Sequence, residues 1–161
     1  MGLVIIKCGN PGDDEHLEHL AQYMSDDRKL MIGGNGVNYT DAKQVAKQMA
    51  NVKEHFGKTK NRSHVQVILP YHSQDMTVEK ACDYTREAAA YFDDDFQTLY
   101  CAHQPDEDCD YCHSHIMINP VNYNNGKMME TDPASLKPFC EHVEKITGER
   151  NRLKFKKNDE L

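Results

Sequence analysis

Residues 103–119 read HQPDEDCDYCHSHIMIN, and the fold of the chain turns on them. His113 and His115 are one residue apart and run into the apolar Ile116, Met117 and Ile118. In a strand, side chains alternate faces, so both imidazoles point the same way from neighbouring rungs. His103 closes an earlier apolar run, Phe96 to Ala102, which also reads as a strand. If the two strands pair, the acidic segment between them is the connection and three imidazoles meet at one point. Three neutral nitrogen ligands with open remaining positions describe a catalytic metal site better than a closed structural one. Cys101, Cys109 and Cys112 lie among the same histidines, and Cys109 and Cys112 have two-residue spacing. A zinc site built from that pair and two other ligands is the competing reading.

Outward from this stretch, the pattern alternates strands and helices. Leu3 to Ile6 suits a buried strand, and Asp13 or Asp14 can cap a helix with Leu17, Leu20, Ala21 and Met24 on one face. Lys29 to Asn38, with three glycines, reads as a flexible loop. Thr40 caps a second helix carrying Val45, Met49, Val52 and Phe56, and Gly57 stops it. His64 to Leu69 reads as a strand, and Thr77 opens a third helix. His115 to Val121 is a further strand. The turn Asn124-Asn125-Gly126 then leads to a short strand at Lys127 to Met129. A last amphipathic helix follows Asp132-Pro133. The expected fold is α+β, an antiparallel sheet with helices packed on it in two or three layers.

The 161 residues fit one domain, 1–161. No apolar stretch approaches the roughly 20 residues of a membrane span. The first ten residues do not read as a secretory signal, so the C-terminal KNDEL reads as a solvated tail. The six cysteines are then expected to be reduced, in a cytoplasmic protein. The formal charge is −7, but its sign is unevenly spread. Acids crowd residues 76–116, whereas Lys53, Lys58, Lys60 and Arg62 form one basic cluster and Arg150, Arg152, Lys154, Lys156 and Lys157 another. The net charge argues against a nucleic-acid partner and the clusters argue for one.

On the first helix, His16, His19 and Tyr23 share a stripe beside the apolar one, which by itself describes a polar helix face. The segments LAQYMSDDRK, RSHVQVILPY and HQPDEDCDYCHSHIMINPVNYNNGK, in that order, resemble the three motifs of the relaxase, or mobilisation nuclease, family of conjugative and mobilisable elements. That family belongs to the His-hydrophobe-His endonucleases, and the likeness spans nearly the whole chain. Three departures stand out: Ser114 replaces the hydrophobic residue between the paired histidines, the spacer after His103 is long, and the serine common in the second motif is missing from HVQVILPY.

The resemblance implies a strand-specific endonuclease that nicks single-stranded origin-of-transfer DNA through a covalent 5′-phosphotyrosine and can rejoin it. By the same resemblance Tyr23 is the nucleophile, and His103, His113 and His115 hold a divalent ion. Manganese or magnesium is expected foremost, with zinc, cobalt and nickel also compatible. Asn119 would orient a ligand histidine, while Asp106, Glu107 or Asp108 would act in proton transfer or orient His103. Lys58, Lys60, Arg62, Arg150, Arg152 and Lys154 are the candidate DNA contacts. Accessory relaxosome proteins and a coupling protein are implied partners, and the chain could be the N-terminal catalytic piece of a longer protein. The alternative is a zinc-stabilised, non-catalytic module that binds DNA or another relaxosome protein.

Overall fold

The structure, a computed structural model, describes residues 2–72, 75–105 and 110–157. The order along the chain is β1 (Gly2–Cys8), α1 (Asp14–Met24), β2 (Lys29–Asn35), α2 (Ala42–His55), β3 (Val65–Pro70), α3 (Val78–Ala90), β4 (Thr98–His103), β5 (His113–Ile118), α4 (Pro133–Thr147) and β6 (Asn151–Lys156). The strands form one sheet in the order β2-β4-β5-β3-β1-β6. The expected α+β architecture is therefore present. Every pairing is antiparallel except that of β6 with β1, which is parallel and makes the sheet mixed.

Helix starts follow local chemistry. Asp13, Asp41, Thr77 and Asp132 each turn a side-chain oxygen onto backbone N–H groups that a helix leaves unpaired in its first turn. The second helix is thus capped by Asp41, one residue beyond the expected Thr40. Gly148, left-handed at φ 74°, ends α4.

Period-2 alternation divides the core between two faces. Val4, Ile6, Val65, Val67, Leu69, Ile116 and Ile118 pack on one face with Ala81, Ala88, Leu136, Phe139 and Val143 of α3 and α4. Leu99, Cys101 and Met117 pack on the other with Leu17, Leu20, Met24, Val45 and Met49 of α1 and α2. This second cluster covers only the β4–β5 side of its face, and Ile5, Lys7, Gln66, Ile68 and Pro70 line an open cleft beside it.

Two expectations need correction. Lys29 to Asn35 is an edge strand paired with β4, not a flexible loop. Its glycines serve close approach: a Cβ on Gly33 would lie 2.6 Å from the Tyr100 ring, and one on Gly34 would lie 2.8 Å from the Thr98 carbonyl. Lys127 to Met129 does not form a strand; a single bridge joins Met128 to Val121. The turn before it stands, with Gly126 at φ 75° under the Phe56 ring.

Replacing Gly126 with Ala should therefore cost stability twice. A β-carbon in the left-handed region costs about 1–2 kcal/mol, and here it would also lie 2.4 Å from Phe56. Urea denaturation should show a lower midpoint with an unchanged slope. An unaltered midpoint would mean this loop does not bear on α2.

Candidate metal centre and nucleophile

His103 and His113 are register partners in β4 and β5, and His115 lies opposite Cys101. The three imidazoles are buried, with ring centroids 4.9–5.5 Å apart. Their ligand nitrogens all lie within 4.8 Å of one another, and among the described residues this is the one such group. Among the described residues, no cysteine joins it. Cys112 packs toward the α3–α4 core and Cys101 is buried under α1 and α2. Cys109 of the competing zinc reading lies outside the described residues, as do Asp106, Glu107 and Asp108.

Each ring spends one nitrogen on an acceptor. His113 Nδ1 lies 2.9 Å from the Tyr111 carbonyl, His115 Nδ1 lies 2.9 Å from Gln66 Oε1, and His103 Nε2 lies 3.3 Å from the Met24 carbonyl. These acceptors require the imidazoles to donate, which leaves lone pairs on His103 Nδ1 and His115 Nε2. Both of those atoms are buried with no hydrogen-bond partner among the described residues. An unmet buried nitrogen costs roughly 1–3 kcal/mol, so two in one spot fit a missing cation. A divalent ion fits the donor set: neutral imidazoles, oriented by hydrogen bonds on their outer nitrogens.

Electrostatics agree. Burial, followed by the neighbouring imidazoles, pushes His115 well below the usual histidine range. His103 is also lowered, chiefly by burial. Lys7 and Arg28 add positive charge around His115. His103 and His115 thus favour the neutral form, with Asp26 beside His103 and Asp110 on the cleft lining as the nearby acids.

Tyr23, in the last turn of α1, is set against this group. Its ring lies 5.4 Å from the His103 ring and 5.6 Å from the His115 ring, edge-on to both. The Arg28 guanidinium lies 4.6 Å from the Tyr23 centroid and is held by Asp26 at 2.7 Å. His16, His19, Tyr23, His113 and His115 line a cleft of about 530 Å³, with Lys7 and Lys156 on its far wall. The stripe read as a polar helix face is therefore one wall of this cleft.

Other candidates are placed elsewhere. Asn119 gives its amide to the Met49 carbonyl and to Gln97, and its oxygen takes the Val121 N–H. It buttresses the end of β5 away from the histidines. Lys58, Lys60 and Arg62 lie before β3, whose start pairs with Ile118 rather than His113. Three residues of strand, about 10 Å, separate the start of β3 from the nearest triad member, His115 opposite Ile68. Arg62 is committed to the Met129 carbonyl and Thr131, and Lys53 is buried against Asp14 and the Ser63 carbonyl. Arg152 and Lys154 are exposed on β6, and Arg150 precedes it. Sequence reasoning missed Gln66 and Arg28; an uncharged strand residue gave no signal, and Arg28 read as part of a polar segment.

The family model described as relaxase, MobA/VirD2-like, nuclease domain matches residues 19–151. The chain belongs to this relaxase family. A comparison with curated proteins found no match. The match takes in Tyr23, all three histidines, Arg28 and Gln66, and the family connects this relaxase domain with DNA nicking and mobilisation. No helix among the described residues is long and apolar enough to cross a membrane.

His16 of the cleft wall is stacked at 5.3 Å on the buried His64. Burial and the neighbouring His16 push His64 down to about 3. An unfolded histidine takes up a proton near pH 6.5, whereas folded His64, His103 and His115 resist it. Stability is thus fully present above pH 6.5 and is lost as pH falls. The slope is about 1.4 kcal/mol per pH unit for each such histidine. Urea midpoints between pH 7 and pH 5, measured with chelator present, should fall on acidification. His64→Gln should make that fall shallower; an equal slope in the variant would contradict a neutral His64.

Proposed function

We propose that this chain nicks single-stranded DNA by transesterification, with Tyr23 as nucleophile, and can reverse the step. One observation carries the reading: a half-buried tyrosine at a helix end packs edge-on against two members of a buried histidine triad. The Tyr23 oxygen attacks phosphorus, the P–O3′ bond breaks, and the strand leaves as a 3′-hydroxyl while the 5′-phosphate stays on the tyrosine. The phosphodiester is exchanged rather than hydrolysed, so rejoining needs no further energy source. The phenol proton leaves to a base, and the spacer acids Asp106, Glu107 and Asp108 are the candidates by chain position.

His103, His113 and His115 would hold a divalent ion, which when bound supplies charge stabilisation to the scissile phosphate. Arg28 fixes one face of the Tyr23 ring and keeps a cation beside it. The Lys7 and Lys156 side chains on the far wall draw the backbone in.

The open half of the sheet supplies a track. Register partners share a face, so His115, Ile68, Ile5 and Lys154 form one row and Met117, Gln66, Lys7 and Lys156 the next. Arg152, Lys154 and Lys156 therefore rise along β6 on the cleft side, about 6.6 Å apart, a spacing that suits successive phosphates. The reading places the DNA here and not on Lys58 to Arg62. Origin-of-transfer DNA is the substrate the family favours, and relaxosome partners would join through it.

Incubation of the protein and Mn²⁺ with labelled single-stranded origin DNA should give a covalent adduct mapping to the Tyr23 peptide. Tyr23→Phe should bind the strand and form none. An adduct on Tyr39 or Tyr111 would move the nucleophile, and cleavage without any adduct would replace the mechanism with attack by water.

His113→Ala and His115→Ala should each lose divalent-ion binding and cleavage together. Calorimetry showing intact ion affinity in both would remove the triad from the reading. Arg152→Ala and Lys154→Ala should each lower the salt slope of strand binding by roughly 0.7, while Lys60→Ala leaves it unchanged. The reverse ranking would move the track to the other end of the sheet.

A further inference from the structure

The hydrogen-bond acceptors that orient the triad are unlike one another. His103 faces the Met24 carbonyl at the end of α1, and His113 faces the Tyr111 carbonyl in the loop before β5. Both are main-chain atoms, whose chemistry no substitution alters. His115 is met instead by a side chain, Gln66 Oε1, at 2.9 Å. Gln66 pairs in register with Met117, and its amide reaches diagonally to the next histidine along β5. It is 6% exposed and held in a central strand.

The amide oxygen can only accept. His115 must then carry its proton on Nδ1, which puts its lone pair on Nε2, the buried atom with no partner among the described residues. A carboxylate in the same place would orient the ring equally well. It would also place a negative charge one ring away from the ion. The amide orients without charge.

We propose that Gln66 is a positioning residue for the metal centre: it fixes the tautomer of His115 and, being neutral, sets how tightly the triad holds a divalent ion. The proposal rests on reading the triad as a metal site. With three imidazoles as ligands and an amide behind His115, these four residues cancel none of the ion's charge. The ion is held loosely and keeps its full attraction for an anionic phosphate. A carboxylate would tighten the grip and spend part of that attraction on the protein.

Three proteins test this: the wild type, Gln66→Leu and Gln66→Glu. Calorimetric titration with Mn²⁺ alone, without DNA, should show Gln66→Leu weaker by 10–100-fold, the range for losing such a partner. Gln66→Glu should be tighter than wild type. A purely structural role would weaken both or neither.

Long-range ¹H–¹⁵N correlation spectra of the metal-free protein give a second reading. Wild-type His115 should appear as the Nδ1–H tautomer, and Gln66→Leu should gain the Nε2–H form. Unchanged affinity in Gln66→Leu, weaker binding in Gln66→Glu, or an Nε2–H tautomer in the wild type would each overturn the role given to Gln66. A wild-type protein that takes up no Mn²⁺ would instead overturn the metal site itself.

Discussion

The register between β4 and β5 is the constraint on which the rest depends. Because side chains alternate, a slip of one residue would turn His113 and His115 onto the α3–α4 face and put Ser114 into the cleft. Apolar packing opposes the slip on both sides: Leu99, Cys101 and Met117 need the α1–α2 layer, and Ile116 and Ile118 need the other. Ser114 adds a polar lock. Its hydroxyl is buried behind the histidines and hydrogen-bonds to Tyr71 and to Thr85 of α3. A hydrophobic residue there would hold register by packing alone; the serine adds hydrogen bonds to Tyr71 and α3. The departure from the His-hydrophobe-His pattern is thus absorbed by a tyrosine and a threonine placed to meet it.

The site's location follows from unequal coverage of the two faces. One face is roofed by α3 and α4. On the other, α1 and α2 pack on each other and over the β4–β5 side, leaving β3, β1 and β6 open. The end of α1 therefore falls at the boundary between roof and open sheet. That boundary is where Tyr23 meets His103 and His115, and where the Met24 carbonyl accepts from His103. A helix end has unpaired carbonyls in any case, so orienting a ligand histidine uses a group the fold already exposes.

Patterns carried by chemistry were legible in the sequence; patterns carried by contact were not. The triad was visible because His-x-His in a strand has one geometric meaning. The helices were visible because caps and apolar stripes agree. Strand β2 was hidden because glycine signals both flexibility and close approach, and only the Tyr100 ring above Gly33 decides between them. Strand β6 was hidden because Arg152 and Lys154 suit an edge and read as a charge cluster. Asn119 had the right residue type near a histidine, yet its amide serves Met49 and Gln97. Lys53 stood in a basic cluster, but its amine is buried on Asp14 and Ser63. Spacing could not reveal Gln66, since its role depends on a neighbouring strand 49 residues away.

Net charge misled for a related reason. The −7 total sums over ends of the molecule that do not meet. Asp93, Asp94 and Asp95 lie in the turn between α3 and β4, tied by backbone to Asn35, Tyr123 and Asn124, at the end of the sheet away from the histidines. Around the triad the nearby charges include Lys7 and Arg28. Field falls off within about 8–10 Å in physiological salt, so a phosphate in the cleft meets Lys7, Arg28, Asp26 and Asp110 and is screened from Asp93 to Asp95. Within that field burial holds His103 and His115 below the usual histidine range, toward their neutral forms. The same burial leaves His103 Nδ1 and His115 Nε2 without a partner among the described residues, so a divalent cation there would relieve a cost that the fold otherwise carries.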